Sequence, residues 1–328
     1  MATRAIRRTV AMLASTITLA ATAGCGLFTG GDAGDQAALE RKTLKIGVMP
    51  YVDVAPLYLA KNEGLFEKIG LEVELITESS EVQAVNDLDA GTLDVAFASN
   101  VTLFKEAAGG KSLQLQGEAY QADEDVMALV TLPGSAFNPS TKPQPRIAVN
   151  ESNDIGTLAT RTALKTANVD QAKIRFQTVP FRDMTGALQG GQVDAAWMVE
   201  PFITKAQKEL GAVVLMDTAR GATLDFPMSS YAASKKFADQ NPRTLRAFRK
   251  VLAEAQLAGA NKLEVQNVLP SYADVQKDTA ALVSVGTYPA SLNPIRLQRV
   301  VDLMNVNGVL DQPLDIQQLM PPDTPDNS

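Results

Sequence analysis

Histidine is absent from this chain of 328 residues, and cysteine occurs once, at Cys25. Without histidine, the commonest general base and the commonest zinc ligand are both missing. With a single cysteine no disulfide can form within the chain, so the fold is not a disulfide scaffold. Any catalysis would fall to carboxylates, lysines or serines, and the expectation is no metal, no cofactor and no enzyme. Positive charge is also in short supply. The 30 Lys and Arg stand against 37 Asp and Glu, leaving −7, which argues against a nucleic-acid partner and for solubility. The remaining composition, 45% hydrophobic and 20% charged, suits a globular body of about two domains.

The N-terminus stands apart. Arg4, Arg7 and Arg8 precede the apolar run TVAMLASTITLAATA at residues 9–23, which is shorter than the roughly 20 residues a spanning helix needs. A basic head, a short apolar core and small residues ahead of a cysteine read as a signal peptide over residues 1–24. The cysteine directly after Ala23-Gly24 resembles a bacterial lipobox, with Thr22 where leucine is usual, and that resemblance implies lipidation of Cys25. The Arg7-Arg8 pair leaves the export route, general secretory or twin-arginine, open. Loss of the signal removes three arginines and no acid, taking the net charge from −7 to −10. Residues 25–43 lack apolar periodicity and read as a lipid-anchored tether, in which about 17 flexible residues reach roughly 20–25 Å.

The body repeats a phrase. LDAGTLDVA at residues 88–96 returns as LQGGQVDAA at 188–196. In both copies an amphipathic helix ends at glycine and an aspartate opens a short apolar strand. Each copy has a strand upstream, LKIGVM at 44–49 and RIAVN at 146–150, and the register of 100 or 101 residues holds over both copies. Two copies of one α/β unit imply two lobes and a cleft. Pro56 suits the first position of a helix and Gly64 its end. Residues 71–76 alternate as a strand, Ser80 and Gln83 form a capping box, and a helix follows over 81–90. In the second copy a helix runs from Asp154 to about Ala167, a strand spans 173–178, and Asp183 sits near the next helix start. Residues 125–131 and 228–233 read as strands crossing between the lobes. Four helices are expected beyond: 242–260, 263–269, 273–284 and 293–307.

APLYLAKNEGLF at residues 55–66 with GLEV at 70–73, the two Gly-x-x-Asp phrases at 91–94 and 191–194, Glu200-Pro201-Phe202, Lys236-Phe237 and Asn241-Pro242 together resemble a known family. It is the nitrate/sulfonate/taurine-type, SsuA/NMT1-like group of ABC-importer substrate-binding lipoproteins, which includes binders of thiamine-pyrimidine precursors. The resemblance covers residues 44–320. It implies a two-lobed periplasmic-binding-protein fold of type II: two mixed α/β lobes joined by two crossing strands. Lobe one would be 44–126 plus 231–328 and lobe two 127–230. It also implies a small-molecule ligand, ABC permease and ATPase partners, and a site on the extracytoplasmic face of the membrane, held there by the lipid.

Ligands of open α/β sheets collect beyond the carboxyl ends of strands, near helix N-termini. That rule selects Tyr51, Asp53, Ser79, Ser80, Ser99 and Asn100 in lobe one, and Asn153, Asp154, Arg182 and Glu200 in lobe two, with Phe181 beside Arg182. Each has a plainer role open to it: Ser80 and Asn153 as caps, Asn100 as a turn, Arg182 as a surface cation. Trp197 reads as core, and Gly91, Asp94, Gly191 and Asp194 as structural turns. Glu200, flanked by apolar residues, needs a partner if buried. The expected ligand is a sulfonate, taurine, nitrate or bicarbonate. The alternatives are a thiamine-pyrimidine-type heterocycle, which Asp53 and Glu200 would tolerate better than a simple anion, or a sensor that presents its ligand to a membrane partner. Enzymatic pyrimidine-precursor synthesis is remote without histidine.

The anchor is checked directly: labelled fatty acid is expected to enter the wild-type chain in a bacterial host and not the Cys25→Ser variant. Equal labelling of both would overturn the lipidation of Cys25.

Overall fold

The computed structural model describes residues 38–322 apart from 136 and 311. The signal peptide, Cys25 and most of the tether lie outside the described residues. Lobe one begins with β1 (Thr43–Val48), α1 (Ala55–Asn62), β2 (Glu72–Thr77), α2 (Glu81–Ala90), β3 (Val95–Ser99), α3 (Asn100–Ala108) and β4 (Leu113–Gln121). The second copy follows as β5 (Met127–Thr131), β6 (Arg146–Val149), α4 (Ile155–Thr166), β7 (Arg175–Thr178), α5 (Phe181–Gln189), β8 (Ala195–Val199), α6 (Phe202–Leu210) and β9 (Val213–Asp217). The chain ends with β10 (Pro227–Ser234), α7 (Lys235–Gln240), α8 (Pro242–Ala258), α9 (Lys262–Val268), α10 (Lys277–Ala280) and α11 (Pro294–Val306).

These strands build two five-stranded sheets of one design, β2-β1-β3-β10-β4 and β7-β6-β8-β5-β9. In the first, β1 runs parallel to β2 and β3 while β10 lies antiparallel to β3 and β4. In the second, β6 runs parallel to β7 and β8 while β5 lies antiparallel to β8 and β9. The chain passes between the sheets twice, before β5 and before β10. The two passages touch: Ala122 N donates to Phe226 O at 2.8 Å. β10 is continuous across the boundary expected between residues 230 and 231, and its whole length pairs in the first sheet.

The repeated aspartate is a clamp between strands. Asp94 N donates to Lys45 O at 2.9 Å while its Oδ2 accepts Lys45 N at 2.8 Å. Asp194 does the same to Arg146, with both bonds at 2.8 Å. Each aspartate therefore fixes the register of its apolar strand against the neighbouring one. Gly91 and Gly191, at φ of 77° and 62°, make the left-handed turns that deliver the chain there. In the second copy Lys142 Nζ and Arg146 Nη2 add ion pairs at 2.7 and 2.8 Å. Burial opposes the charge on Asp194, but the bonds from Arg146 and Lys142 outweigh it and hold the carboxyl at about 2.

Four expectations shift. β4 and β9, the last strands of their sheets, have no counterpart in the sequence reading. β4 (LQLQGEAYQ) carries buried Gln114, Gln116 and Glu118, and that polar content masks the apolar period. Glu118 is tied to Arg296 at 2.8 Å. The helix expected over 273–284 shrinks to α10, because Asp274 adopts φ 48° and the chain then extends to bridge Thr287 to Gln121. Half of the capping box forms: Ser80 Oγ accepts Gln83 N, while the Gln83 side chain turns to Asp87. The end of the expected tether is docked: Glu40 Oε2 accepts Thr244 N and Oγ1, both at 2.8 Å, at the start of α8.

Asp194→Ala removes a strand clamp and two ion pairs together, and is expected to cost about 2–3 kcal/mol of stability, read as a lower Tm. Because the folded carboxyl sits near 2, below the ordinary 3.8, the wild-type advantage holds above pH 4 and fades as pH falls towards 2. A variant as stable as wild type at pH 7 would remove the clamp from the account.

Candidate functional site

The carboxyl ends of β1, β3, β6 and β8 meet at the seam between the sheets and line a cavity of about 20 Å³, room for about one water. Lobe one contributes Tyr51, Asp53, Glu81, Phe97, Ser99, Met228 and Ser229; lobe two contributes Asn150, Ile155, Phe181, Trp197 and Val199. Tyr51, Asn150 and Phe181 also line an outer cleft of about 550 Å³, together with Ser79, Ser80, Lys105, Glu151, Arg182 and Phe202. Gly156 admits α4 against Trp197, where a Cβ would stand 2.7 Å from the ring.

Aromatic rings fill one side of the seam. Tyr51 presents an edge to Phe97, Phe181 and Phe202 at centroid distances of 6.1, 5.5 and 6.1 Å. Phe181 stacks on Phe202 at 5.1 Å and tilts against Trp197 at 5.9 Å. Trp197 Nε1 is satisfied by Thr218 Oγ1 at 3.0 Å, so its ring is fixed in place.

Acids fill the other side. Glu81 Oε2 accepts Ser99 N at 2.9 Å and Thr102 Oγ1 at 3.0 Å. Asp154 Oδ1, from the opposite lobe, accepts Ser99 Oγ at 2.9 Å and Thr102 Oγ1 at 3.1 Å. Thr102 has one hydroxyl proton for two carboxylate oxygens. Glu151 Oε1 accepts Glu81 N at 3.1 Å. Burial, reinforced by the charges of Asp154 and Glu151, pushes the Glu81 carboxyl well up. Burial also raises Asp154, against hydrogen bonds from Ile155 and Ser99. Burial, with Asp154 next, lifts Glu151 to about 7. Asp53 is lifted by burial to about 6, although Ser229 Oγ donates to it at 2.6 Å.

The remaining candidates fall elsewhere. Asn100 is fully buried behind the wall, its Nδ2 donating to Pro227 O at 2.9 Å. Asn153 is exposed at φ 55°. Ser79 and Ser80 stand at the outer cleft, where Ser80 caps α2. Arg182 is exposed beside Asp183 at 3.7 Å. Glu200 works as a strut: Oε1 accepts Thr204 Oγ1 at 2.7 Å and Ser284 N at 3.1 Å, linking lobe two to the chain beyond α10. Burial, opposed by those bonds, lifts it to about 7. Sequence reasoning left out Glu81, Glu151 and Asn150. An acid in the first turn of a helix complements the dipole anywhere, so Glu81 carries no distinguishing signal. Among the described residues no group of acids or cysteines is arranged to hold a metal ion, and no helix is long and apolar enough to cross a membrane.

Two sheets of order 2-1-3-n-4 that exchange a strand connection and enclose a site at their seam define the two-lobed binding-protein fold. The pattern of the NMT1-like family matches residues 37–268. The chain belongs to the NMT1-like family. Its fold is similar to that of the periplasmic aliphatic sulphonate-binding protein SsuA from Escherichia coli, with a TM-score of 0.70, 19% identity, and 88% of this chain and 95% of that one covered. It is similar too to the periplasmic nitrate-binding protein NrtA from Synechocystis, with a TM-score of 0.72, 16% identity, and 86% and 87% covered. In sequence it is 25% identical over 243 residues to the bicarbonate transport ATP-binding protein CmpC of Synechocystis, covering 66% of this chain and 35% of that protein. The chain thus spans about a third of the length of the curated relatives it matches.

An acid whose folded value is raised stabilises the fold only while it is protonated, fully below its ordinary 4.5 and not above about 7. The Tm of the ligand-free protein is therefore expected to fall by several degrees between pH 5 and pH 8. Glu151→Gln and Asp154→Asn should flatten that slope. A Tm that is level or rises over this range would contradict the buried-acid account.

Proposed function

We propose that this protein is the extracytoplasmic solute-binding component of an ABC importer. It takes a small polar solute between its lobes, closes over it, and delivers it unchanged to permease and ATPase partners while Cys25 anchors it to the membrane. The observation that carries the reading is the cavity walled from both sheets, whose two halves meet through hydrogen bonds and ring contacts across the seam. The Ser99–Asp154 bond is one such contact, and the edge of Tyr51 on Phe181 is another. Ion pairs from α6 to the α10 region, Lys208 with Asp278 and Lys205 with Asp274, also span the lobes. Each is a contact that parting of the lobes would break, and the two adjacent chain passages are suited to hinge such a motion. Membership of the family and likeness to solute-binding proteins support the same reading.

A single tryptophan makes the test simple, because Trp197 lies on the cavity wall. Fractions of a polar metabolite extract are titrated against its emission. The expected result is a saturable, one-site change with one fraction, and recovery of the bound solute chemically unaltered. Conversion of the solute, or no response to any fraction, would overturn the proposal.

A further inference from the structure

We infer that the seam between the lobes is a proton site. Closing of the lobes captures one proton, shared by Glu81 of lobe one and Asp154 of lobe two, and loss of that proton parts them. The inference rests on the solute-binding reading and adds its regulation, since it makes capture of the solute depend on pH.

The first ground is a count of protons. Four contacts surround the hydroxyls of Ser99 and Thr102: Ser99 to Asp154 at 2.9 Å, Ser99 to Thr102 at 3.1 Å, and Thr102 to Asp154 and to Glu81 at 3.1 and 3.0 Å. The two hydroxyls supply one proton each. With both acids ionised, Thr102 serves one carboxylate and turns a lone pair towards the other. A further proton, on Asp154, lets Asp154 donate to Thr102 while Thr102 donates to Glu81. One hydroxyl then bridges the two lobes.

The second ground is independent of that chain. Asp154 is fully buried, and its Oδ2 has no partner among the described residues. A buried carboxyl short of donors is costly as an anion and far less so as a neutral acid.

The groups facing the pair do not replace the proton. Glu151, from the loop after β6, accepts Glu81 N at 3.1 Å. Tyr51 and Asp53 approach from the loop after β1, and burial keeps the Tyr51 phenol protonated by pushing it well up. On α3, Lys105 eases the charge on Glu151 and Asp154, while Glu106 is drawn to Lys111 at 3.3 Å. On α5, Arg182 is exposed beside Asp183. Burial prevails over Lys105: it pushes Glu81 well up, raises Asp154 and lifts Glu151 to about 7. A proton held in the closed seam at such a value is lost as pH rises through it, so closure is favoured at acid pH and fades towards pH 8. The other two raised acids are placed differently. Asp53 takes its bond from Ser229 within lobe one. Glu200 does join the lobes, but Thr204 N, Thr204 Oγ1 and Ser284 N each bring it a donor, so its carboxylate needs no added proton.

The test reads the lobes directly in ligand-free protein. In a Cys25→Ser background, the exposed substitutions Asn62→Cys at the end of α1 and Thr166→Cys at the end of α4 carry spin labels for a distance measurement. At pH 5 one short distance is expected. Between pH 6 and pH 8 a longer one should gain on it, by at most about tenfold per pH unit, the limit for a single coupled proton. Asp154→Asn, neutral and of the same shape, should hold the short distance through pH 8; if it fails to fold, Glu81→Gln carries the same expectation. Glu200→Gln should leave the response to pH in place. Equal distances at pH 5 and pH 8, a response that survives the neutral variant, or one abolished by Glu200→Gln would each overturn the inference. The importer reading is judged apart from these, by the Trp197 titration, and it stands if a metabolite fraction shortens the distance where pH does not.

Discussion

The seam between the lobes depends on one unfavourable act, the burial of carboxylates from opposite lobes within reach of the same two hydroxyls. Ser99 Oγ and Thr102 Oγ1 both reach Asp154, and Thr102 reaches Glu81 as well. Paired acids out of water cost several kcal/mol unless a proton or a cation joins them. The seam therefore has a poor intrinsic affinity for itself. Aromatic contact between Tyr51 and Phe181 offsets part of that cost, and the Glu200 strut and the α6 ion pairs hold the far side. The proposed solute-binding role needs this near-balance. A seam that closed too well without ligand would leave the ligand nothing to drive.

The scaffold around the seam is, by contrast, over-determined. Each lobe receives one antiparallel strand after a passage from the other, β5 beside β8 and β10 beside β3, and each clamps its parallel strands with an aspartate. The strand ends are thereby fixed to within hydrogen-bond tolerance. Ser99 and Val199, the last residues of β3 and β8, reach the cavity from opposing sheets because the clamps set where each strand begins. In the proposed closure, rigid lobes and a soft seam would confine motion to the two short chain passages.

The repeat made the architecture readable from sequence alone, since glycine turns and strand-opening aspartates carry local signals that need no tertiary context. The strands β4 and β9 were not readable, the first because its buried polar residues find partners far along the chain, such as Arg296 for Glu118. The site was legible by position more than by identity. The strand-end rule reaches Tyr51, Asp53, Ser99 and Asp154, which the structure gathers at the seam. It also selects Asn100, whose amide turns away to Pro227, and Glu200, whose carboxylate is spent on Thr204 and Ser284. It passes over Glu81 and Glu151, because what distinguishes them is proximity across the seam, and nothing local encodes that.

The repeat also explains why acids and rings segregate. Glu81 at the start of α2 stands where Phe181 stands at the start of α5, one hundred residues on. Tyr51 and Glu151 lie in the loops that follow β1 and β6, strands whose clamps on Lys45 and Arg146 set an offset of 101. Ring and acid thus alternate between the loops and helix starts of the two copies. Across the seam ring meets ring and acid meets acid. Tyr51 touches Phe181, and the backbone of Glu81 touches Glu151. Had both copies kept the same order, each acid would have faced a ring, and the cleft would have had two mixed walls. The exchange instead divides it into an aromatic column and an acidic column.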